Sequence, residues 1–182
     1  MVGVYDSKDP HRERMDLGRS VSVRIARAGD VDYIRSLSKT AFQEYGPYEE
    51  MLPDWFTSGI TVTLLAMLGE RPVGFAMIRR IGRESRLHGV SELLGIAVEP
   101  PQRKRGIGDL LLSEMQKTAH RTGVETLVLH TAIDNLPGRG LFKKHGFNLL
   151  DTKSNFYPRG QDAVMMYKDI HLESDLSGSG RA

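Results

Sequence analysis

The amino-acid sequence predicts a mixed α/β fold of the α+β class, with about four helices on a central, mostly antiparallel sheet of about six to seven strands. Strand-like apolar runs and segments with helical spacing follow one another in the order β-α-α-β-β-β-α-β-α-β-β. Two pairs of strand-like runs are joined by short turn sequences, which favours antiparallel hairpins. The 182 residues are enough for one domain with a substantial core.

The first half of the chain begins with a segment in which valine and isoleucine alternate with other residues, as in a half-buried strand. Apolar residues at helical spacing follow, and a Gly-Pro pair ends that helix. The predicted elements are a strand over 21–27, a helix over 28–46, a short broken helix over 48–59 and a hairpin over 61–80.

The second half begins with a strand that is apolar on both faces near its end, which favours a central position in the sheet. The next helix stops at a glycine, and the last helix begins with an asparagine cap followed by a proline. The predicted elements are a central strand over 89–98, a helix over 108–123, a strand over 124–132, a helix over 135–146 and a closing hairpin over 147–170 with its turn at 158–160.

The two ends of the chain lack these patterns. Residues 1–19 are polar and aperiodic, and residues 171–182 are rich in glycine and serine, so both are predicted to be flexible. Residues 20–170 are predicted to form a single domain.

Composition limits the class of protein. The formal net charge of +2 argues against a nucleic-acid binder, which normally carries a basic face. The absence of cysteine excludes disulfides, thiolate metal sites and a cysteine nucleophile, and no metal site is predicted. No apolar run is long enough to span a membrane, and the N-terminal segment lacks the apolar core of a secretory signal. We therefore expect a soluble cytoplasmic protein with no membrane partner.

The stretch EPPQRKRGIG, residues 99–108, joins the central strand to a helix and combines basic side chains with two glycines. Free N–H groups and the positive end of the dipole make a helix N-terminus an anion site, and glycine lets a phosphate approach the backbone. The stretch is neither a P-loop nor a dinucleotide fingerprint, because the required lysine and third glycine are missing. These residues alone fit a phosphate cradle and a solvated turn about equally.

Three motifs in the right order resemble those of the GNAT superfamily of N-acetyltransferases, and the resemblance covers roughly residues 21–168. The first is the hydrophobic strand ELLGIAVEP. The second is the pattern Arg-x-x-Gly-x-Gly of the acyl-CoA pyrophosphate loop, here Arg103, Gly106 and Gly108. The third resembles Asn-x-x-Ala-x-x-x-Tyr-x-x-x-Gly-Phe, and its positions here are Asn135, Gly138, Phe142, Gly146 and Phe147.

The resemblance implies a GNAT-type fold and acetyl-CoA as co-substrate. It implies that the backbone N–H groups of the loop bind the CoA pyrophosphate, that the strand before it pairs with the pantetheine arm, and that a bulge helped by Gly95 opens the strand edge. We expect Asn135 to contact the cofactor arm in addition to capping its helix, and Asp109 to point away from the ligand. The implied cofactor-binding residues are Ile96, Ala97, Val98, Arg103, Lys104, Arg105, Gly106, Ile107, Gly108, Asn135 and Phe142.

Two residues compete for the role of the base that deprotonates the amine. Glu92 matches the catalytic glutamate of the histone-type branch of the family, and His130 matches the base position of the ribosomal-protein N-terminal branch, where glutamate is usual. The alternatives are a solvated carboxylate at a strand end and an inert histidine on an outer face.

Phe142 departs from the family pattern, because the usual tyrosine protonates the leaving CoA thiolate and phenylalanine cannot. Solvent, Tyr157 or Tyr167 are the substitutes that the sequence offers. The departure also favours an alternative function, a non-catalytic acyl-CoA-binding regulatory module on the same fold.

The resemblance implies an N-acetyltransferase that transfers acetyl to a primary amine of a small molecule, peptide or protein by direct attack in a ternary complex. The segment 42–56 mixes acidic and aromatic residues, which fits either an attraction for a cationic amine or a solvated helix with aromatic residues in the core. The acceptor and the oligomeric state, including a homodimer, are left open.

Overall fold

The computed structural model describes residues 20–81 and 89–170. The predicted N-terminal extension, 1–19, and the predicted C-terminal tail, 171–182, lie outside the described residues. The division of the chain into these tails and one domain stays a prediction.

The described residues form seven strands and four α-helices in the predicted order, with 3-10 turns at Ala28–Asp30 and Pro100–Gln102. The elements are β1 (Val21–Ile25), α1 (Val31–Phe42), α2 (Tyr48–Thr57), β2 (Thr61–Leu68), β3 (Arg71–Arg80), β4 (Val90–Val98), α3 (Ile107–Arg121), β5 (Thr126–Ala132), α4 (Leu136–Lys144), β6 (Asn148–Lys153) and β7 (Ala163–Asp169).

One sheet holds all seven described strands in the order β1-β2-β3-β4-β5-β7-β6. Neighbouring strands run antiparallel except for β4 and β5, which are parallel. The strand predicted to be central, β4, is the fourth of the seven. The predicted fold class is confirmed.

The helices cover both faces of the sheet. Successive residues of a strand point to opposite faces, so on β3 Ala76 and Ile78 pack in the core cluster that contains α3 and α4. Phe75 and Met77 pack in the second cluster, with α1 and α2. Each large apolar side chain buried in this way contributes about 1.5–3 kcal/mol.

The helix α2 is continuous, whereas the sequence predicted a broken one. Pro53 lies inside it and has no N–H to donate to the carbonyl of Glu49. The side chain of Arg35 on α1 donates to that carbonyl from Nη1 at 3.1 Å instead. The tertiary contact therefore compensates for the missing helix bond.

The strands β4 and β5 diverge after a short paired segment. Their register runs only from Val90–Thr126 to Leu93–Leu129. The pairing of β4 with β3 shifts by one residue at the same point, so Leu94 is a β-bulge beside Gly95. The predicted bulge is present, and it opens a cleft between the two parallel strands.

No helix in residues 20–81 and 89–170 is long and apolar enough to cross a membrane.

Candidate active site

A cleft of about 890 Å³ lies where β4 and β5 diverge. One end is formed by the loop before α3, and its middle by the diverging part of β4 together with the start of α4. The other end is lined by aromatic residues of α1, α2 and the loop between β6 and β7, around Glu92 and His130. The structure thus brings both catalytic candidates and the predicted cofactor loop to one cavity.

The loop before α3 presents a run of free backbone N–H groups. Within the described residues, none of the N–H groups from Lys104 to Asp109 donates to a protein acceptor, and the first helical bond is made by Leu110 to the Gly106 carbonyl at 3.0 Å. Lys104 and Gly106 take left-handed conformations, with φ of 61° and 78°. These turns aim successive N–H groups at one concavity, the geometry of an anion nest. The loop therefore fits a pyrophosphate.

The basic side chains of the loop have different roles from one another. Arg103 and Lys104 line the cleft. The Nε of Arg103 donates to the Val98 carbonyl at 3.0 Å, which ties the loop to the end of β4. Arg105, predicted among the cofactor-binding residues, is absent from the cleft wall, and its guanidinium donates to the side chain of Gln102 instead.

The segment of β4 beyond the bulge has a free edge. Ile96, Ala97 and Val98 pair with β3 on one side, and on the other side no described strand pairs with them. All three line the cleft. An extended ligand arm can hydrogen-bond to such an edge as an added strand does.

Asn135 caps α4, as predicted. Its Oδ1 accepts from the N–H of Gly138 at 3.1 Å, and its Nδ2 donates to Thr131 Oγ1 at 3.0 Å. Gly138 leaves room for this side chain, because a Cβ there would lie 2.4 Å from Asn135 Nδ2. Asn135 also lines the cleft, and its contact with the cofactor arm stays a prediction.

Phe142 is buried at 5% exposure, and its ring lies edge-on to the ring of Phe147 with 5.8 Å between the ring centroids. It lines the cleft from α4 and has no group that can donate a proton. Of the two tyrosines that the sequence offers as substitutes, Tyr157 lines the cleft and Tyr167 does not. Burial raises the pKa of the Tyr157 phenol, so it stays protonated at neutral pH.

Asp109 lies on the cleft wall beside the loop, and its carboxylate is engaged by α4. Its Oδ1 lies 2.6 Å from Lys144 Nζ and 3.0 Å from His145 Nε2. These hydrogen bonds, from Lys144 first and His145 second, hold the pKa of Asp109 below its ordinary value. Both partners draw the carboxylate toward the C-terminal end of α4, and its orientation away from the ligand stays a prediction.

Glu92 and His130 are in direct contact, and Glu92 also pairs with Arg79 of β3. The His130 Nδ1 lies 3.2 Å from Glu92 Oε1, and the Arg79 Nη2 lies 2.8 Å from Glu92 Oε2. The exposed fractions of the side chains are 16% for Glu92 and 13% for His130. The two catalytic candidates therefore form one unit.

The charge of Glu92 decides which ring nitrogen of His130 carries the proton. Burial raises the pKa of Glu92, but the hydrogen bonds from His130 and Arg79 outweigh it and leave the pKa below its ordinary value. An ionised carboxylate can only accept, so the hydrogen in the contact belongs to Nδ1. In the neutral ring Nε2 then holds the free lone pair.

The surroundings of His130 leave that lone pair unused. The ring stacks on Phe156 at 4.2 Å between centroids and 15° between planes. Its Nε2 is buried and has no hydrogen-bond partner among the described residues. A buried polar atom without a protein partner requires an explanation, and His130 is a residue of the cleft wall, so a catalytic role for this nitrogen is one such explanation.

Aromatic side chains line the end of the cleft that contains Glu92 and His130, which we call the acceptor end. Tyr45, Tyr48 and Trp55 lie on its wall, whereas none of the four carboxylates of the segment 42–56 does. The segment thus places aromatic residues and no carboxylate on the cleft wall, so neither of its two interpretations, an attraction for a cationic amine or a solvated helix with aromatic residues in the core, is met in full.

Two loops meet over this end. Gln161 Nε2, from the loop between β6 and β7, donates to the Glu44 carbonyl of the loop between α1 and α2 at 2.5 Å. The rings of Tyr45 and Tyr157 lie 4.9 Å apart. Gly46 lies so close to Pro158 that a Cβ would approach its Cγ to 2.8 Å.

Sequence reasoning missed Arg79 and Phe156 as parts of the site, whereas Trp55 belongs to the aromatic residues that it considered for an attraction to a cationic amine. The guanidinium of Arg79 lies 5.2 Å from the centroid of the Trp55 ring. The sequence shows two adjacent arginines at the end of β3 and nothing that separates them. Phe156 lies in a loop, where no periodicity assigns a side chain to a face.

Comparison with known proteins decides the family. The model of the acetyltransferase (GNAT) family matches residues 31–147. The chain belongs to this family. The predicted GNAT resemblance is confirmed.

Two curated relatives carry specific names. This GNAT chain is 29% identical over 151 residues to an N-alpha-acetyltransferase of Sulfolobus acidocaldarius, over 79% of this chain and 89% of the relative. It is 35% identical over 83 residues to the ribosomal protein bS18 alanine N-acetyltransferase of Salmonella typhimurium, over 44% of this chain and 56% of the relative. GNAT enzymes use acetyl-CoA, and the chain is an acetyl-CoA-dependent N-acetyltransferase, which disfavours the alternative of a non-catalytic module.

Solved structures of other GNAT proteins share the fold. Arabidopsis thaliana NAA60 in complex with acetyl-CoA superposes with a TM-score of 0.72 at 19% identity, over 83% of this chain and 99% of that chain. An N-acetyltransferase from Staphylococcus aureus Mu50 superposes with a TM-score of 0.73 at 20% identity, over 84% of this chain and 99% of that chain.

In residues 20–81 and 89–170 no group of three or more acidic or histidine side chains is placed to hold a metal ion.

Proposed function

We propose that this GNAT enzyme acetylates the α-amino group at the N-terminus of a peptide or protein, by direct attack of the amine in a ternary complex. The observation that carries the proposal is the contact between Glu92 and His130, two residues that line the cleft; this contact leaves the buried Nε2 of His130 without a partner among the described residues. The loop of free N–H groups lies at the opposite end of the same cleft.

The loop and β4 hold the co-substrate. The N–H groups from Lys104 to Asp109 bind its pyrophosphate, and the free edge at Ile96–Val98 hydrogen-bonds to its extended arm. Acetyl-CoA supplies the acetyl group and leaves as CoA. A backbone N–H of the same edge stabilises the negative charge that develops on the carbonyl oxygen.

His130 takes the proton of the amine at Nε2, directly or through one water molecule. Glu92 holds the ring in orientation through Nδ1 and stabilises the imidazolium that forms, as a buried carboxylate does in other histidine bases. An α-amine titrates near pH ~7.7–8.0 and a lysine amine near ~10.4. Imidazole is a weak base, and an α-amine gives up its proton more readily than a lysine amine, so the α-amine suits a histidine base better.

The end of the reaction requires a proton on the leaving sulfur, which Phe142 cannot give. We assign this proton to solvent or to the Tyr157 phenol, which lines the cleft and stays protonated. A thiolate is a tolerable leaving group, so this assistance accelerates the reaction without being indispensable.

The bridged loops support an α-amine as the acceptor. A lysine side chain is presented by a backbone that continues in both directions, and such a backbone needs an open groove. The contacts of Gln161 with Glu44 and of Gly46 with Pro158 close the acceptor end on one side. The N-terminal residue of a peptide is followed by backbone in one direction only, so it can enter a cleft that is closed on one side. The N-alpha-acetyltransferase activity named for the Sulfolobus relative agrees with this proposal.

The test measures CoA release with a thiol-reactive dye, since the protein has no cysteine background. One acceptor is a peptide with a free α-amine and no lysine, and the other is the same peptide blocked at its N-terminus with one internal lysine. We expect turnover with the first and a kcat/KM at least ~10²-fold lower with the second. Loss of ~10²–10⁴ in His130→Ala is expected for a general base. Preference for the lysine peptide, or unchanged turnover in His130→Ala, would overturn the proposal.

A further inference from the structure

A row of five side chains crosses the acceptor end of the cleft. Trp55 of α2 covers the guanidinium of Arg79, which donates to Glu92. Glu92 accepts from His130, whose ring stacks on Phe156. Each member touches the next, so Glu92 links the orientation of the His130 ring to the charge of Arg79.

The bulge at Leu94 places Arg79 in this row. On the far side of the bulge Met77 pairs with Gly95, and on the near side Arg79 pairs with Glu92. In an unbroken register the residue opposite Glu92 would be Arg80. Arg80 points instead to the other face of the sheet, where it donates to the Thr122 carbonyl.

We propose that Arg79 is a positioning residue, which keeps Glu92 anionic and thereby fixes Nε2 as the proton-accepting nitrogen of His130. This inference rests on the proposed function, because it assigns His130 as the base. Arg79 itself touches neither the amine nor the acetyl group in this proposal.

The charges around Glu92 explain why Arg79 matters. Among the residues that the structure describes, the groups that face its carboxylate are Arg79 from β3, His130 from β5 and, at longer range, the neutral phenol of Tyr48 from α2. A guanidinium is cationic at every pH that the folded protein meets. Arg79 is thus the permanent positive charge in this group, whereas the charge of His130 changes during each turnover.

Removal of the guanidinium would leave a half-buried carboxylate with one partner. Burial then favours a proton on Glu92, and a protonated Glu92 can donate to Nδ1. The ring would respond by carrying its own proton on Nε2, and that tautomer cannot accept the proton of an amine. Arg79 therefore selects between two arrangements that use the same Glu92–His130 contact.

Trp55 restrains the guanidinium. A cation over an indole ring is attracted by the ring face and is partly shielded from water. The side chain of Arg79 is 34% exposed, so without the ring it would have room to turn toward solvent.

The experiment compares Arg79→Met, Arg79→Lys and the matched control Arg24→Met. Arg24 forms an ion pair with Asp30 at 2.8 Å, with exposed fractions of 32% and 13%. The Arg79–Glu92 pair has the same length and exposed fractions of 34% and 16%. Arg24 lies on β1 and is not part of the cleft wall, so the control removes an ion pair of similar length and exposure, with two hydrogen bonds instead of one, without touching the site.

The first readout is the long-range proton–nitrogen NMR spectrum of the histidine rings, with His130 assigned by its loss in His130→Asn. We expect the Nδ1–H tautomer in the parent protein, in Arg24→Met and in Arg79→Lys. We expect a shift toward Nε2–H in Arg79→Met. The Nδ1–H tautomer unchanged in Arg79→Met would overturn the positioning role.

The second readout is the pH profile of kcat/KM. In Arg79→Met we expect kcat to fall about 10-fold, the acid limb to move to higher pH and the KM for acetyl-CoA to stay constant, with Arg79→Lys restoring most of kcat. A KM effect with an unmoved acid limb would show a merely structural role and overturn the proposal. A parent protein without turnover on any amine would contradict the proposed function alone, because the tautomer spectrum tests Arg79 independently of activity.

Discussion

The carboxylate of Glu92, one residue before the last backbone pair of the two parallel strands, meets the imidazole of His130, one residue after that pair, Leu93–Leu129. The contact is 3.2 Å long. Beyond this point β4 and β5 diverge, so the pair lies where the sheet opens into the cleft. Pairing with Val128 fixes the backbone of Glu92, pairing with Met165 of β7 fixes that of His130, and the divergence places both residues on the cleft wall.

The Glu92 pair predicts how stability depends on pH. The pKa of Glu92 is lowered in the folded state, so the group stabilises the fold above its ordinary unfolded pKa of about 4.3. This contribution is lost as the pH falls through the lower folded value. We expect Glu92→Gln to lower the free energy of unfolding by about 1–3 kcal/mol at pH 7. Below pH ~4 the loss should become progressively smaller.

Chemical denaturation at several pH values measures this difference. The control is Glu114→Gln, which removes an exposed i,i+3 pair with Lys117 and should cost less than about 0.5 kcal/mol. If the difference in unfolding free energy between Glu92→Gln and the parent stays constant down to pH 3, the charge of Glu92 does not stabilise the fold.

The loop before α3 predicts the effect of a charge at Gly106. A Cβ there meets no atom within 4 Å, so Gly106→Glu should fold, at a cost of about 1–2 kcal/mol for a side chain at φ 78°. The added carboxylate would occupy the phosphate site and repel the ligand. We expect calorimetry to show at least a 100-fold loss of acetyl-CoA affinity.

Gly106→Ala separates backbone strain from charge. It carries the same φ without the carboxylate, so its affinity should fall only a few-fold. Equal losses in both variants would mean that the loop conformation, and not the anion site, had been damaged. Acetyl-CoA bound with full affinity by Gly106→Glu would exclude the loop as the pyrophosphate site.

The sequence predicts this loop better than it predicts the contact between Glu92 and His130, for a physical reason. Gly106 and the cap at Asn135 depend on a few neighbouring residues, and local rules assign them. The Glu92–His130 contact joins residues 38 apart. The choice of Arg79 over Arg80 depends on one bulge at Leu94. No local pattern reports where a register shifts by one residue.

The carboxylate of Asp109 predicts a compensating pair of substitutions. Lys144 holds it at 2.6 Å beside the phosphate loop. In Lys144→Met the carboxylate of Asp109 loses the positive charge of Lys144, so its negative charge is less neutralised and the side chain is freer to turn toward the ligand. We therefore expect acetyl-CoA affinity to fall about 3- to 10-fold, and Asp109→Asn in the same chain to restore it.

Calorimetric titration at two salt concentrations checks this prediction, since the effect of a partly exposed charge weakens as salt is added. The single variant Asp109→Asn should bind at least as tightly as the parent. Failure of the double variant to recover would mean that Lys144 contacts the ligand itself.

The cap of α4 predicts that alanine, the usual residue of the family motif, is unfavourable at Gly138. A Cβ there would lie 2.4 Å from Asn135 Nδ2 and 2.9 Å from its Cγ. Gly138→Ala must displace the Asn135 side chain, which loses its bonds to the Gly138 N–H and to Thr131. Loss of a cap costs about 0.5–2 kcal/mol, partly offset by the higher helix propensity of alanine.

Gly140→Ala is the matched control in the same helix, because a Cβ at Gly140 meets nothing within 4 Å. It should stabilise α4 by up to about 1 kcal/mol. Thermal unfolding of the two variants gives the comparison, with a lower Tm expected for Gly138→Ala and a higher one for Gly140→Ala. Equal increases in Tm would show that Asn135 finds another position at no cost.

The bridge between the two loops predicts acceptor selectivity. Gln161→Ala removes the bond to the Glu44 carbonyl, which joins loops 117 residues apart in sequence. The loops should then separate more easily, and a continuous backbone gains access to the acceptor end. We expect kcat/KM for the internal-lysine peptide to rise about 3- to 10-fold, while kcat/KM for the free α-amine peptide changes less than 2-fold.

The ratio of the two kcat/KM values, measured by CoA release, is the decisive quantity, because a general loss of folding would lower both. An unchanged ratio would show that the closed acceptor end does not depend on this bond, and that selectivity arises from the chemistry of the amine at His130.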